Sequence, residues 1–118
     1  MASRKIEDLH PDLQPICEQF LKEAKKQGID VLITCTYRNN IEQEELYNQG
    51  RIKPGKIVTN AKPGQSEHNF ILKGKPASKA FDVVPLRYGK CVWNEKDELW
   101  QALGAIGMLL GLNWYGKS

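Results

Sequence analysis

Histidine is scarce in this sequence: His10 and His68 are the only two among 118 residues. Long apolar runs are absent, which excludes a membrane-spanning helix, since a span needs about 20 consecutive apolar residues. The first 13 residues also lack the apolar stretch of a secretory signal. The protein is therefore expected to be cytoplasmic, reaching anything outside only if another agent releases it. Cysteine is sparse as well, and Cys17, Cys35 and Cys91 are odd in number and far apart. That excludes a disulfide framework and points to three reduced, mostly buried structural thiols. Cys91 could act as a ligand or nucleophile, but no histidine lies near it in sequence.

Acids are short in one region only. Residues 51–90 hold nine bases and two acids, whereas residues 1–50 hold six bases and nine acids. A segment carrying about +7 attracts an anionic partner by long-range steering, although its bland reading is a solvated lysine-rich loop. Nucleic acid is one such anion, but the aromatic interleaving of a stacking platform is missing, so no nucleic-acid partner is expected. The 41% hydrophobic and 26% charged content is ordinary for a globular protein, and the length suits one domain spanning residues 1–118.

The periodicity supplies the elements. Leu13, Ile16, Cys17, Phe20, Leu21 and Ala24 recur at helical spacing, which predicts a helix over residues 11–27 with Pro11 in its first turn and Gly28 as its stop. The stretch from Ile29 to Tyr37 reads as a strand with Ile29, Val31, Ile33, Cys35 and Tyr37 on one face. A second helix is expected from Ile41 to Gln49, capped by Asn40 with Gln43 completing a capping box and Leu46 as its core contact. Residues 51–65 form a loop with two Pro-Gly pairs, longer than most connections. Lys73-Gly74 predicts a hairpin between Asn69–Leu72 and Ala77–Pro85, and Tyr88-Gly89 a second tight turn. A third helix over residues 95–110, capped by Asn94, carries Leu99, Trp100, Leu103, Ile106 and Leu110, and a last strand begins at Leu112. Trp93, Trp100 and Trp114 are expected in the core, with Trp114 nearest any site. The order gives an α+β fold: a mostly antiparallel sheet flanked by about three helices.

The stretch from Ser66 to Val84 holds the chemistry. His68 lies there, and so does Asp82, a carboxylate inside the apolar run Ala80-Phe81-Asp82-Val83-Val84. A buried carboxylate is costly unless it is paired, hydrogen-bonded or metal-bound. Histidine with a carboxylate is a common start of a zinc site. His10, just before the first helix, reads as a surface or capping residue.

Five pieces occur in a recognisable order: Thr36-Tyr37-Arg38, Glu42 to Tyr47, Ser66-Glu67-His68, Ala80 to Val83, and Gly111 to Trp114. This order resembles the zinc D-alanyl-D-alanine carboxypeptidases and L-alanyl-D-glutamate endopeptidases of phage endolysin type, whose fold is hedgehog-like. The resemblance implies a peptidoglycan stem-peptide substrate and Zn2+ held by His68 and Asp82. It implies that Arg38 binds a substrate carboxylate, for which a planar guanidinium fork is suited. It places Gln43 and Ser66 close to the site. The family's usual spacing is Ser-x-His-x-x-Gly-x-Ala-x-Asp; here Asp82 follows His68 by 14 residues, the extra length falling on the Lys73-Gly74 hairpin.

The resemblance also implies a C-terminal acid-x-x-His segment carrying the third zinc ligand and the general base, which does not follow Trp114 before Ser118. Glu67, Cys91, Glu95, Asp97 and Glu98 remain as substitutes in principle. The chain is accordingly expected to be truncated at its C-terminus. Strand exchange between two copies would then give a homodimer. A second reading is a catalytically dead prophage remnant or cell-wall-binding module, for which His68 and Asp82 form a vestigial pair.

Overall fold

Local signals in the chain set the elements in order. The computed structural model describes residues 2–112, and within them lie three α-helices, a three-stranded sheet and a two-stranded ribbon. Every pairing between the named strands is antiparallel, so the class is α+β with an antiparallel sheet. The predicted strand beyond Leu112, and with it Trp114, lies outside the described residues.

Helix α1 (Gln14–Lys26) buries Cys17, Phe20 and Ala24 at the spacing of one helical face. It begins after the turn containing Pro11 rather than at it, and its first turn holds Pro15, where a missing N–H costs nothing. Gly28 ends it at φ +73°: the Ile29 N–H donates to Ala24 O and the Gly28 N–H to Lys25 O, both at 2.9 Å. This pair of bonds is the Schellman arrangement, which satisfies carbonyls the helix end would otherwise leave open.

Strand β1 (Asp30–Cys35) pairs with β4 (Asp82–Arg87), which pairs in turn with β5 (Lys90–Cys91). Strands β2 (Ile71–Leu72) and β3 (Lys75–Pro76) make the separate ribbon. Both hairpins turn through two residues with positive φ, Lys73 at 52° and Gly74 at 78°, then Tyr88 at 53° and Gly89 at 77°. These are the mirror-image turns whose twist matches that of paired strands. The first hairpin is narrower than the sequence predicts. Beyond Pro76 the chain leaves the ribbon, Ser78 meets the N-terminal segment through Asp8 and His10, and β4 starts afresh on β1.

One face of the three-stranded sheet carries the core. Phe20 and Ala24 of α1, Ile29, Val83 of β4, and Leu103 and Ile106 of α3 (Glu98–Leu109) form the buried cluster. Val31, Ile33, Phe81, Leu99 and Leu110 pack around it. The opposite face carries Asp82.

A β-bulge corrects the predicted face of β1. Ile33 pairs with Val83, but the next partner of β4, Asp82, is met by Cys35 instead of Thr34. A strand that gains one residue exchanges the faces of every side chain after it. Cys35 therefore leaves the core side, where alternation alone would put it, and stands across from Asp82.

Helix α2 (Asn40–Asn48) is capped one residue earlier than predicted. Asn39 Oδ1 accepts from the Glu42 N–H at 2.8 Å, and Glu42 Oε1 accepts from the Asn39 N–H at 3.0 Å. The tandem Asn39-Asn40 offers two equivalent caps to a reader of sequence. The choice of Asn39 turns Gln43 inward, and Gln43 rather than Leu46 is the buried residue of this helix.

Helix α3 is likewise capped at Asp97 rather than Asn94, with Asp97 Oδ1 accepting from the Leu99 N–H at 3.0 Å. The same carboxylate takes a two-pronged bond from Arg87 at 2.8 and 2.9 Å, tying the end of β4 to the start of α3. Arg87, and secondarily the Leu99 N–H, hold Asp97 at a pKa of about 2 against an ordinary 3.8. A carboxyl depressed on folding stabilises the fold above its unfolded pKa, and that contribution is lost as pH falls through the folded one. Asp97→Asn is therefore expected to flatten the acid side of the Tm-versus-pH curve between pH 3.8 and about 2. An unchanged acid slope in the variant would show that the pair contributes nothing there.

Trp100 is buried, and its indole N–H donates to Val92 O at 2.7 Å, whereas Trp93 is 67% exposed and not a core residue. The nine basic side chains of residues 51–90 are all exposed or on the rim of loops, consistent with a solvated basic surface.

Candidate metal centre

The site is built where the end of β1, the start of β4 and the turn before the ribbon meet. Residues Glu67–Asn69 form a single tight turn with Ser66 as its cap. Ser66 Oγ accepts from the His68 N–H at 3.2 Å, and the Asn69 side chain answers by accepting from the Ser66 N–H at 3.2 Å. Asn69 is buried, and its Nδ2 donates to Arg38 O at 2.7 Å while the Arg38 N–H donates to His68 O at 2.9 Å. The backbone of Arg38 and the turn that carries His68 are thus fixed to one another. Asn69 is a positioning residue that the sequence reading passed over. The capping-box spacing from Ser66 was the signal that could have found it.

His68 is 9% exposed. Its Nδ1 lies 2.8 Å from Thr36 O, a contact in which the ring N–H donates to the carbonyl. That bond leaves Nε2 facing Asp82, whose Oδ1 is 3.4 Å away. Burial alone pushes the imidazole pKa down; Asp82, helped by Cys35, overrides it and raises the pKa above its ordinary value.

One donor atom from each of Cys35, His68 and Asp82 lies within 4.8 Å of the other two. The donor chemistry fits a zinc ion, which takes sulfur, imidazole nitrogen and carboxylate oxygen. The geometry of the His68–Asp82 pair fits as well, since two ligands about 2.05 Å from a tetrahedral ion stand about 3.3 Å apart. The Thr36 carbonyl on the far ring nitrogen is the outer-shell partner that orients a histidine ligand. Of the substitutes offered by sequence, none joins this group among the described residues; Asp97 is engaged with Arg87. The only acid-x-x-His spacing in the chain, Glu7 to His10, is not part of it either. His10 accepts from the Asp12 N–H at 3.1 Å and sets its ring 6.0 Å from that of Phe70.

Arg38 comes to the same place from the end of β1. Its Nη1 donates to Gln43 Oε1 at 2.9 Å, and its Nη2 points to Cys35 Sγ at 3.5 Å. Gln43 in turn donates from Nε2 to Ala61 O at 2.7 Å. Gln43 is fully buried and holds the guanidinium in one orientation while pinning the long loop. Gln43→Leu leaves both the Ala61 carbonyl and one arm of Arg38 without a protein partner, which costs about 1–3 kcal/mol per orphaned group. Urea unfolding should show a loss of about 2–6 kcal/mol for the two groups together; a loss under about 0.5 kcal/mol would mean that solvent replaces both bonds.

An open cleft of about 570 Å³ lies over these groups, lined by Cys35, Arg38 and Asp82 on its floor side and by Leu46, Lys53, Pro54 and Trp93 among its walls. The exposed Trp93 and the half-buried Leu46, both expected in the core, are cleft residues instead.

Residues 6–83 match the family model of VanY, D-alanyl-D-alanine carboxypeptidase. That match takes in Arg38, Gln43, Ser66, His68 and Asp82. The peptidoglycan L-alanyl-D-glutamate endopeptidase CwlK of Bacillus subtilis (strain 168) is 40% identical over 105 residues, covering 82% of this chain. The chain spans 63% of the length of that relative. By its sequence match and its α+β architecture, the chain belongs to the VanY D-alanyl-D-alanine carboxypeptidase family.

Proposed function

We propose that this chain is a zinc-dependent peptidoglycan peptidase that cuts a bond in the stem peptide. The observation that carries the reading is that Arg38 and Asp82 line one cleft while His68 Nε2 stands 3.4 Å from Asp82 Oδ1. A zinc ion held there by His68 Nε2 and Asp82 would polarise the scissile carbonyl and lower the pKa of a bound water to about 7.

The protein's own groups do the rest. Thr36 O fixes the His68 tautomer so that Nε2 carries the lone pair. Arg38 offers a planar cation to a stem-peptide carboxylate, and Gln43 keeps that plane aimed into the cleft. The lock between Arg38 and the His68 turn sets the distance between substrate anchor and reacting centre, so a bound peptide is held in one register. The exposed basic surface of residues 51–90 raises the local concentration of an anionic wall polymer.

The test is metal content and hydrolysis measured together. Purified protein should hold about one zinc per chain and release new peptide ends from isolated peptidoglycan. A chelator should stop the release and added zinc restore it. Zinc-loaded protein that binds peptidoglycan without making new ends would replace this reading with that of a wall-binding module.

A further inference from the structure

We propose that Trp93 is a sugar platform: its indole carries the amino sugar from which the stem peptide hangs, so the protein prefers glycan-linked peptide to free peptide. The inference rests on the peptidoglycan-peptidase reading above and adds the glycan strand to its substrate.

The first observation is an exposed ring on a fixed backbone. Trp93 and Tyr88 are the exposed aromatic side chains among the described residues. Tyr88 stands in the tight turn between β4 and β5, whereas Trp93 lines the cleft with Arg38 and Asp82. The Val92 N–H donates to Pro85 O at 2.9 Å, and Val92 O accepts from the Trp100 indole N–H at 2.7 Å. On the other side, Asn94 O accepts from the Asp97 N–H at 2.9 Å, and Asn94 Oδ1 accepts from the Lys96 N–H at 3.1 Å. Both neighbours of Trp93 are therefore tied down, one to the sheet and α3, the other to the cap of α3. A ring 67% exposed on such a backbone loses little freedom when a ligand covers it.

The second observation is that the loop side of the cleft is also built. The Gly50 N–H donates to Lys53 O at 2.8 Å, and Gln49 Nε2 donates to Lys56 O at 3.1 Å. Arg51 donates to Thr59 O at 3.1 Å and to Asn60 Oδ1 at 2.9 Å, which fastens the long loop to the end of α2. Lys53 and Pro54 are thereby held as cleft wall. A preformed cleft of about 570 Å³ falls within the range of about 300–1,000 Å³ that ligand pockets occupy.

The third observation is what can cover an indole. The bonds named for the matched family and for its Bacillus subtilis relative join alanine to alanine and alanine to glutamate. A methyl group is too small to cover the ring, and a carboxylate is repelled by its negative face. A pyranose is flat, and the axial C–H bonds of one face are apolar and weakly positive, which suits that ring face. Stem peptides are joined to the glycan through the lactyl group of N-acetylmuramic acid. An extended residue spans about 3.6 Å at most, so a sugar on Trp93 keeps the first peptide bonds inside the same cleft.

An NMR titration of the full chain tests this with two probes that differ only in the sugar. They are N-acetylmuramyl-L-alanyl-D-isoglutamine and lactyl-L-alanyl-D-isoglutamine, and the same spectra report any hydrolysis. The wild type should half-saturate with the muramyl probe at a concentration about tenfold lower. Irradiating the protein should transfer saturation to the sugar ring protons. Trp93→Ala should bring the two half-saturation points together, and Trp93→Tyr should keep most of the difference. The melt of Trp93→Ala should match that of the wild type, because an exposed side chain supports little of the fold. Hydrolysis by a wild type that does not distinguish the probes overturns the platform and leaves the peptidase reading standing. A sugar preference that survives Trp93→Ala overturns the platform too. A Trp93-dependent preference without hydrolysis supports the platform and overturns the peptidase reading in favour of a wall-binding module. Binding of neither probe overturns both.

Discussion

On the proposed zinc-peptidase reading, a His68→Ala protein is expected to fold but to take up no zinc and to release no peptide ends. His68 lies in a short turn outside the hydrophobic cluster, and that turn keeps its Ser66 and Asn69 bonds when the imidazole is removed. What disappears is the donor facing Asp82 and the partner of Thr36 O. The stability cost is that of one orphaned carbonyl and one unpaired, mostly buried carboxylate, about 1–3 kcal/mol for the former. The catalytic cost is far larger. If zinc supplies the attacking water as proposed, its loss would return the pKa of that water from about 7 towards 15.7, and release of peptide ends should fall by at least about 10³-fold. Metal analysis, a thermal melt and peptide-end release on the same preparation separate the outcomes. Stoichiometric zinc in the folded variant would remove His68 from the centre. Loss of the cooperative melt would show that the residue is structural first.

The sequence carried much of this. Helices α1 and α3 appear where the apolar periodicity puts them, because each has an apolar stripe to bury, whereas α2, whose buried residue is Gln43, is marked by its Asn39–Glu42 capping box. Lys73-Gly74 and Tyr88-Gly89 were legible as turns because paired positive φ angles have a short list of tolerated residues. Arg38, Gln43, Ser66, His68 and Asp82, separated by up to 44 residues in sequence, were named from motif order; in the structure Arg38 and Asp82 line the cleft, Ser66 and His68 lie in the turn beside Asp82, and Gln43 bonds Arg38. The misses share a cause. Asn39 and Asn40, or Asn94 and Asp97, are chemically equivalent caps at the level of sequence, and tertiary contacts such as the Arg87–Asp97 pair make the choice. The bulge after Ile33 has no residue signature, since Thr34 is a good strand former. Alternation without the bulge places Cys35 in the core, which agreed with the structural role that an odd, widely spaced set of cysteines suggests. Trp93 read as core because tryptophans usually bury, but it sits in a short tail after β5 with a cleft rather than a helix beside it.

Phe20→Ala should show the opposite pattern: a large loss of stability with the candidate metal centre intact below the melt. Phe20 is fully buried and meets Phe81 edge-on, with ring centroids 5.7 Å apart and planes at 73°. It stands in the cluster that joins α1, α3 and β4, so no solvent can fill the space it leaves and the surrounding helices can collapse only in part. Truncating such a side chain costs about 3–5 kcal/mol from lost transfer energy and the residual cavity. The edge-to-face contact with Phe81 adds to that cost. Domains of this size have about 5–15 kcal/mol in all, so the variant should retain a native state but melt roughly 10–25 °C lower. Phe81 precedes Asp82, yet the two side chains point to opposite faces of the sheet. Loss of the ring on the core side therefore leaves the Cys35–Asp82 register in place. Zinc stoichiometry at low temperature should match that of the wild type, while a thermal melt followed by circular dichroism reports the shift. A Tm drop under about 5 °C would mean that the helices repack around the gap and that the cluster is not centred on Phe20. Loss of zinc at temperatures where the variant is still folded would mean that the core face sets the register of the metal face, and that the two sides of β4 are coupled.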